Sequence, residues 1–370
     1  MKILYVTTIS NTINAFLIPH IKMLINQGHQ VDIACNVKRD INRELMDLGC
    51  KVYNIEFQRS PLQKDNIKAF KKLKKLIQDK KYDLIHTHTP VASACVRLAC
   101  KNLENVKVFY TAHGFHFYKG APTKNWLIYY PIERYLSKYT DVIITINNED
   151  FERARKKLKA NSVEYIPGVG LDISKFKENK IDKLSIRSKL GLPEDSFVVL
   201  SVGELNENKN HETIIKALAI LNNPKIYYVV CGKGNRLDYL KKLSKDLGVM
   251  NQVKLLGFRS DIADICKSAD VFAFPSFREG LGMAALEAMA SGLPIITSNV
   301  HGIIDYSING VTGFNCKPSD VKCFAKSIDR LYKDEKLREN MSKNCLNIVE
   351  KYGIKNSLCA LEVIYKKSII

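Results

Sequence analysis

Acidic residues are scarce in this 370-residue chain compared with basic ones. The 38 Asp and Glu face 57 Lys and Arg, which leaves a formal net charge of +19. Long apolar stretches are also missing: no run reaches the roughly 18–20 residues that a membrane-spanning helix needs, so we expect no such helix. The excess of positive charge predicts an acidic partner, which could be a phosphorylated substrate, an anionic lipid surface or nucleic acid.

The ten cysteines lack the spacing of a zinc site or a CxxC redox motif. The nearest pairs are Cys95/Cys100 and Cys316/Cys323, five and seven residues apart. Cys95, Cys231 and Cys266 lie in apolar runs, where a free cysteine behaves as a small core residue. We therefore expect a cytoplasmic protein with reduced cysteines, and the strand-like start of the chain predicts no signal peptide.

Short β-branched runs alternate with helical periodicity in both halves of the chain. The first half has predicted strands at 2–7, 31–35, 52–57, 82–86 and 106–111, with helices at 15–27, 66–78 and 92–101. The second half has predicted strands at 197–202, 226–231, 253–256, 271–274 and 294–297, with helices at 211–221, 237–247 and 282–290. Such alternation is typical of parallel sheets with crossover helices, so each half is predicted to be a doubly wound α/β domain.

We expect an N-terminal domain at 1–168 and a C-terminal domain at 169–352, with a helix at about 353–370 that packs back on the first domain. Ligands of open parallel sheets bind outside the carboxyl ends of the strands. The sequence therefore predicts an active site in the cleft between two facing sets of strand ends.

The richest motif runs from 277 to 294 and lies between two predicted strands. Its small residues Gly280, Gly282 and Ala284 let a ligand approach the backbone closely, and the N–H groups at the helix start suit a diphosphate. Glu279 and Glu287, eight residues apart, suit sugar hydroxyls because a carboxylate accepts two protons at once. The alternative is a glycine-rich helix start with two surface glutamates.

A lysine follows the first predicted strand of the second half. That strand ends at Gly203, a polar loop follows, and Lys209 stands just before a helix. Lysine in this position can act as a point charge on a phosphate leaving group. A solvated lysine in a turn is the competing interpretation.

Histidines gather at predicted strand ends in the first half. His113 and His116 follow the strand 106–111, from which they could reach a transferring sugar. A metal site on these two lacks a third ligand nearby in the sequence. His86 and His88 either line the cleft or belong to the edge of the core.

Residues 64–81 hold eight lysines and two aspartates. Ile67, Phe70, Leu73 and Ile77 recur at helical spacing, which predicts an amphipathic helix with a core-facing stripe and a cationic outer face. That face is either simply solvated or attracted to an anionic membrane surface. No helix-turn-helix, zinc or aromatic–basic motif accompanies it, so we expect no nucleic-acid partner.

These motifs resemble the retaining glycosyltransferases of family 4. The match rests on residues 274–294, Gly203, Lys209 and Gly310–Phe314, and Tyr110–Pro122 is similar to the branch that builds bacterial capsules and exopolysaccharides. The resemblance covers essentially the whole chain. It implies the GT-B architecture of two Rossmann-like domains, and transfer of a sugar, an N-acetylated hexose or deoxyhexose, from a UDP-linked donor. The implied acceptor is a lipid-diphosphate-linked saccharide at the inner face of the cell membrane.

The resemblance also implies roles for single residues. Glu279 contacts the donor sugar, Glu287 the ribose, Lys209 the phosphates, and His113 lies beside the anomeric carbon or guides the acceptor. The remaining donor-binding positions are Gly203, Glu204, Phe258, Arg259, Gly280, Gly282, Met283 and Ala284. Many relatives carry arginine where this chain has Glu204, which puts a second cationic phosphate ligand in doubt. No cofactor or metal is implied, and the chain has no Asp-x-Asp metal motif.

Two other functions compete with this one. A nucleotide-sugar 2-epimerase shares the two-domain architecture and converts its substrate with no acceptor present. A non-catalytic nucleic-acid-binding protein accounts for the charge but leaves the pattern of Glu, Gly and Lys unexplained.

Overall fold

The computed structural model describes residues 1–177 and 182–369 and divides the chain into two compact units. The first unit is Met1–Gly170 with Ile354–Ile370, and the second is Leu171–Gly353. The chain divides at 170/171 and 353/354. The sequence predicted these boundaries at 168/169 and 352/353. The last residue of the predicted helix 353–370 lies outside the described residues.

The first unit is built on a seven-stranded parallel sheet with the order β3-β2-β1-β4-β5-β6-β7. Its strands are β1 (Lys2–Ile9), β2 (Gln30–Asn36), β3 (Val52–Asn54), β4 (Leu84–His88), β5 (Lys107–Ala112), β6 (Val142–Thr145) and β7 (Ser162–Tyr165). All neighbouring strands are parallel, so their carboxyl ends lie along one edge of the sheet. The order of the strands changes direction between β1 and β4: the strands that follow β1 lie on one side of this point, and those that follow β4 lie on the other. Side chains from the ends of β1 and β4 meet there.

Eight α-helices in the described part of the first unit connect and cover these strands. They are α1 (Ser10–Thr12), α2 (Ile18–Asn26), α3 (Arg43–Asp47), α4 (Asp65–Lys80), α5 (Pro90–Ala99), α6 (Thr123–Leu136), α7 (Asn148–Lys157) and the closing helix α16 (Ile354–Ile369). A π-helical turn, Ile13–Leu17, joins α1 to α2, so the predicted helix 15–27 starts earlier and is not regular. The predicted strand 52–57 ends at Asn54.

The helix α4 corrects one detail of the predicted apolar stripe. Leu73 and Ile77 are buried with Ala69, but Ile67 is 60% exposed. The lysines of 64–81 are exposed, as the charge pattern predicts. The outer face of α4 is therefore cationic with one apolar side chain standing out of it.

The second unit is built on a six-stranded parallel sheet with the order β10-β9-β8-β11-β12-β13. Its strands are β8 (Phe197–Val202), β9 (Ile226–Cys231), β10 (Val253–Leu255), β11 (Val271–Phe274), β12 (Ile295–Ser298) and β13 (Gly313–Cys316). Its helices are α8 (Ser174–Lys177), α9 (Lys183–Lys189), α10 (Glu212–Leu221), α11 (Leu237–Asp246), α12 (Ile262–Ser268), α13 (Met283–Ala290), α14 (Val321–Lys333) and α15 (Glu335–Val349). Both units are Rossmann-like, which agrees with the GT-B architecture that the resemblance implies.

Two cysteines correct the expectation that the thiols are reduced. Cys316 ends β13, Cys323 lies in the first turn of α14, and their Sγ atoms form a disulfide. The other cysteines are free, and except for Cys359 they are buried. Within 1–177 and 182–369, no helix is both long and apolar enough to cross a bilayer.

Candidate active site

Lys209 and Glu279 meet at the carboxyl ends of two neighbouring strands. Lys209 lies in the loop after β8, and Glu279 in the loop after β11, which pairs with β8. Lys209 Nζ donates to Glu279 Oε1 at 2.6 Å, and the side chains keep only 20% and 13% of their exposure. The ammonium also lies 4.8 Å from the centre of the Phe274 ring. The structure thus joins two residues that the sequence separates by 70 positions.

Asparagines hold the Lys209 loop against the segment after β11. Asn206 Oδ1 accepts from the Lys209 backbone N–H at 3.0 Å. Asn208 Nδ2 donates to the Arg278 carbonyl at 2.9 Å, and Asn210 Nδ2 donates to the Pro275 carbonyl at 3.0 Å. None of these three asparagines was predicted as a site residue. Their alternation with charged residues in 206–210 was the signal that could have found them.

Glycines shape the space around this pair. A Cβ on Gly203 would lie 3.1 Å from Lys209 Cδ and Cε, so the glycine leaves room for the lysine stem. Gly282 has a φ of +88°, and a Cβ there would lie 2.6 Å from Phe274 Cε1 and 3.0 Å from the Tyr306 hydroxyl. Tyr306 is a further neighbour of the site that no sequence signal indicates.

The helix α13 begins immediately after Gly282. The amide groups of Met283 and Ala284 belong to its first turn, whose N–H groups have no carbonyl partner within the helix. Such a turn attracts an anion through both its donors and its dipole. Gly280 and Gly282 leave these amides approachable because they carry no side chain.

Glu287 lies on α13, one turn and a half from its start, and is half-buried. Loss of hydration raises the pKa of its carboxyl group to about 7, and the positive charge of Lys175 opposes the shift. Glu287 does not contact Glu279 through any hydrogen bond of the described residues.

The three other predicted donor-binding residues lie in different surroundings. Phe258 is 67% exposed, so one face of its ring is open to stacking. The Arg259 guanidinium holds both carboxylate oxygens of Asp261, at 2.8 and 2.5 Å. Glu204 is exposed, and its Oε2 accepts from Asn206 Nδ2 at 3.1 Å. The positive charge of Arg259 is therefore balanced by the carboxylate of Asp261. Glu204 helps to order the Lys209 loop.

His113 lies in the first unit, directly after β5. It is half-buried, and its Nε2 lies 3.0 Å from Nδ1 of His88. Burial lowers the pKa of His113 to about 4, so its imidazole is neutral at physiological pH. His116 does not join it but stacks on Tyr129, with ring centres 4.6 Å apart.

Side chains in the first turn of helix α7 fix the loop that carries His113. Asp150 Oδ2 accepts from the Phe115 backbone N–H at 3.0 Å, and Glu149 Oε1 accepts from the Lys119 backbone N–H at 2.6 Å. His86 and His88 are buried, at 0% and 1% exposure, so of the two predicted locations the core edge is the observed one. In the part of the chain that the structure describes, no three His, Cys, Asp or Glu side chains group as a metal ion requires.

Two family models match this chain. Residues 2–147 match the model described as glycosyl transferase 4-like, and residues 182–347 match the model described as glycosyl transferases group 1. The chain is 38% identical over 337 residues to a Bacillus subtilis (strain 168) protein, EpsD, whose name gives it as a glycosyltransferase; the match covers 90% of this chain and 87% of EpsD.

An Escherichia coli relative and a solved structure extend the comparison. The relative is named UDP-Gal:alpha-D-GlcNAc-diphosphoundecaprenol alpha-1,3-galactosyltransferase and is 31% identical over 358 residues, which covers 94% of this chain and 92% of the relative. Among solved structures, Anabaena HepE in complex with UDP-glucose superposes with a TM-score of 0.82 at 21% identity, over 99% of this chain and all of HepE.

Proposed function

Because the chain belongs to the glycosyltransferase family, we propose that it moves a sugar from a UDP-linked donor to a lipid-diphosphate-linked saccharide, with retention of the anomeric configuration. The observation that carries the proposal is the Lys209–Glu279 pair beside the first turn of α13. The pair joins a cation for phosphate and a carboxylate for sugar hydroxyls at one set of strand ends.

The proposed reaction breaks the bond between the anomeric carbon and the donor phosphate oxygen. Negative charge grows on the departing diphosphate, where Lys209 and the amides of Met283 and Ala284 stabilise it. Lysine has three donors, so one can stay on Glu279 while another reaches the phosphate. The acceptor hydroxyl oxygen forms the new bond on the same face, and its proton passes to the departing phosphate oxygen.

The nature of the acceptor is proposed from the relatives and from charge. The Escherichia coli relative is named for an acceptor on diphosphoundecaprenol. A lipid acceptor requires the enzyme to work at a membrane surface, and the exposed lysines of 64–81 provide a cationic face. Each lysine near anionic headgroups contributes about 1 kcal/mol of attraction. We propose peripheral binding to the cytoplasmic face of the membrane through α4.

The test of this function is release of UDP from a panel of UDP-sugars, with and without a prenyl-diphosphate-linked sugar. We expect release that depends on the acceptor, and an α-linked product, for which NMR of the anomeric proton is the measurement. Lys209→Ala and Glu279→Ala should each lower kcat/KM by about a hundredfold or more, because each removes a charge from the site. Lys225→Ala, which removes an exposed lysine of the same unit, is the matched control.

Three outcomes would contradict the proposal. Unchanged turnover in Lys209→Ala and Glu279→Ala overturns the assignment of the site. Conversion of a UDP-sugar to its isomer without acceptor identifies an epimerase instead. A product with inverted configuration excludes same-face attack.

We also propose that the reaction needs no metal ion, since Lys209 and the α13 amides supply the positive charge that a metal otherwise provides. EDTA is then expected to leave the rate unchanged. A loss of turnover in EDTA that Mg²⁺ or Mn²⁺ restores would contradict this.

A further inference from the structure

His88 lies inside a stack of aromatic rings at the end of β4. Its ring centre is 4.5 Å from that of His86 and 5.5 Å from that of Tyr5. His88 is 1% exposed, and its Nδ1 lies 3.0 Å from His113 Nε2. His113 is the half-buried member of the histidine pair, so His88 is the buried group behind it.

The two ring nitrogens of His88 differ in their partners. Nδ1 faces His113, but no described residue lies within hydrogen-bonding distance of Nε2, which is fully buried. His86 is the opposite case, because its Nδ1 contacts the Tyr365 hydroxyl and its Nε2 the Thr111 hydroxyl, both at 2.7 Å. The unpartnered buried nitrogen therefore distinguishes His88 from His86, the other histidine of this strand.

This difference decides where the protons are. Burial lowers the pKa of both His88 and His113, so the rings are neutral and share one hydrogen between Nδ1 and Nε2. If His113 donated that hydrogen, the proton of His88 would be on Nε2, as a buried donor without an acceptor. A buried N–H without a partner is rarer and more costly than a buried lone pair. His88 Nδ1–H is consequently the donor, and the proton of His113 is on Nδ1.

We infer that His88 is a positioning residue that fixes His113 as the Nδ1–H tautomer, so that His113 offers a hydrogen-bond donor to an oxygen of the saccharide substrate. The role of His113 toward the saccharide rests on the proposed function. The tautomer rests on the contact between His88 Nδ1 and His113 Nε2, on the buried and unpartnered Nε2 of His88, and on the burial that keeps both rings neutral.

The backbone beside His88 supports a fixed ring. Thr89 has a φ of +67°, a strained conformation for a β-branched residue. Its hydroxyl contacts the Thr8 hydroxyl at 2.7 Å and accepts from the Thr8 backbone N–H at 3.0 Å. These contacts with the end of β1 hold the strained residue in place and set the direction from which His88 approaches His113.

The direct test is the protonation of His113 in the full-length protein labelled with ¹⁵N-histidine, with His113→Gln used to assign its signals. We expect a proton on Nδ1 and a bare Nε2 in the wild type. A proton on Nε2 would overturn the inference. Failure of the proposed function would appear separately, as absence of UDP release in a protein whose His113 tautomer is as inferred.

Two variants of His88 and one of His86 separate positioning from structural support. His88→Leu removes the donor, and we expect mixed tautomers of His113 and a kcat lowered at least about tenfold with little change in the donor KM. His88→Asn keeps an N–H near the Nδ1 position and should restore both the tautomer and a kcat within about threefold. His86→Leu disturbs the same stack and should leave the His113 proton on Nδ1. An unchanged tautomer and kcat in His88→Leu would overturn the positioning role.

Discussion

Lys209 and Glu279 illustrate how partial burial prepares single residues for chemistry. Their contact at 2.6 Å lies among side chains that exclude most of the water, so the electrostatic attraction is screened less than at the surface. The pair holds the ammonium in a position that flexible lysine would not otherwise keep. Because each residue satisfies the other, removal of either leaves a poorly solvated charge.

Glu287 should make donor binding depend on pH. Its carboxyl pKa is raised to about 7 by burial, so it is mostly neutral below that pH and accepts hydroxyl protons less well. We expect the affinity for UDP to rise with pH, by up to about tenfold per unit below 7, and to level off above it. Calorimetry from pH 5.5 to 8.5 measures this, and Glu287→Gln should flatten the profile. An equal slope in Glu287→Gln would refute the assignment.

Gly282→Ala should disrupt the site by a direct collision. The new Cβ would lie 2.6 Å from the Phe274 ring at a φ of +88°. We expect a loss of about 2–4 kcal/mol in the free energy of unfolding, measured with denaturant, and weaker UDP binding. Gly248→Ala is the matched control, since its φ is +72° with no atom within 4 Å, and should cost about 1 kcal/mol. Equal costs for the two variants would show that the collision is relieved.

At the scale of elements, helices provide the charge and glycine-flanked loops provide the site. The outer face of α4 presents positive charge through lysine side chains. The first turn of α13 presents it through backbone N–H groups. Salt screens the exposed lysines strongly and the half-buried amides less. The two proposed interactions, of α4 with lipid headgroups and of α13 with a diphosphate, should therefore differ in their sensitivity to ionic strength.

Charge reversal on α4 should release the protein from anionic membranes. The triple variant K68E/K71E/K75E is expected to lose most of its binding to vesicles that contain phosphatidylglycerol, at about 1 kcal/mol per lysine before reversal is counted. Sedimentation at two salt concentrations measures this. The variant K241E/K242E/K245E, on the exposed surface of α11, is the control for net charge. Equal losses in both variants would argue against a specific role for α4.

The disulfide between β13 and α14 should stabilise the second unit. It closes a short loop, so the variant C316S/C323S is expected to lose roughly 2–3 kcal/mol in the free energy of unfolding. Thiol titration of the denatured protein should find 8 reactive cysteines before reduction and 10 after it. Ten thiols without reductant would contradict the disulfide.

At the scale of the whole molecule, the predicted functional residues are distributed between the two units. The residues proposed for the donor lie in 171–353, and His113 lies in the unit formed by 1–170 and 354–370. The sequence predicted a boundary at 168/169, and the structure divides the chain at 170/171. The closing helix α16 belongs to the first unit, where its Tyr365 hydroxyl contacts His86.

The division predicts that binding and turnover separate on mutation. His113→Ala should leave the Kd for UDP within about twofold and lower kcat at least about tenfold, because it lies outside the unit proposed to bind the nucleotide. Lys209→Ala should raise the Kd for UDP and lower kcat. Calorimetry with UDP and steady-state rates measure the two effects, and a large change in UDP affinity in His113→Ala would contradict the division.

Several elements escaped prediction for physical reasons. Neither β6 nor β7 was predicted. The edge strand β7 has four half-buried residues and includes Ser162 and Glu164, so it lacks the continuous apolar run that marks a buried strand. Ile67 follows the apolar spacing of α4 yet is exposed, because spacing gives a stripe but not the position of the neighbour that covers it. Cys316 and Cys323 were expected to be reduced because no cysteine pair has CxxC spacing and several cysteines lie in apolar runs. Their pairing depends on how the chain passes from β13 into α14.

The sequence by itself determined the kinds of elements, their alternation, and the residues proposed for the site, since periodicity and glycine positions act within a few residues of the chain. Only the tertiary structure decided which of those residues touch. Lys209 meets Glu279 because β8 and β11 are neighbours in the sheet, and His88 meets His113 because β4 pairs with β5. The strand order is set by packing over the whole domain, so no local pattern records that His88 has one partnered and one bare nitrogen.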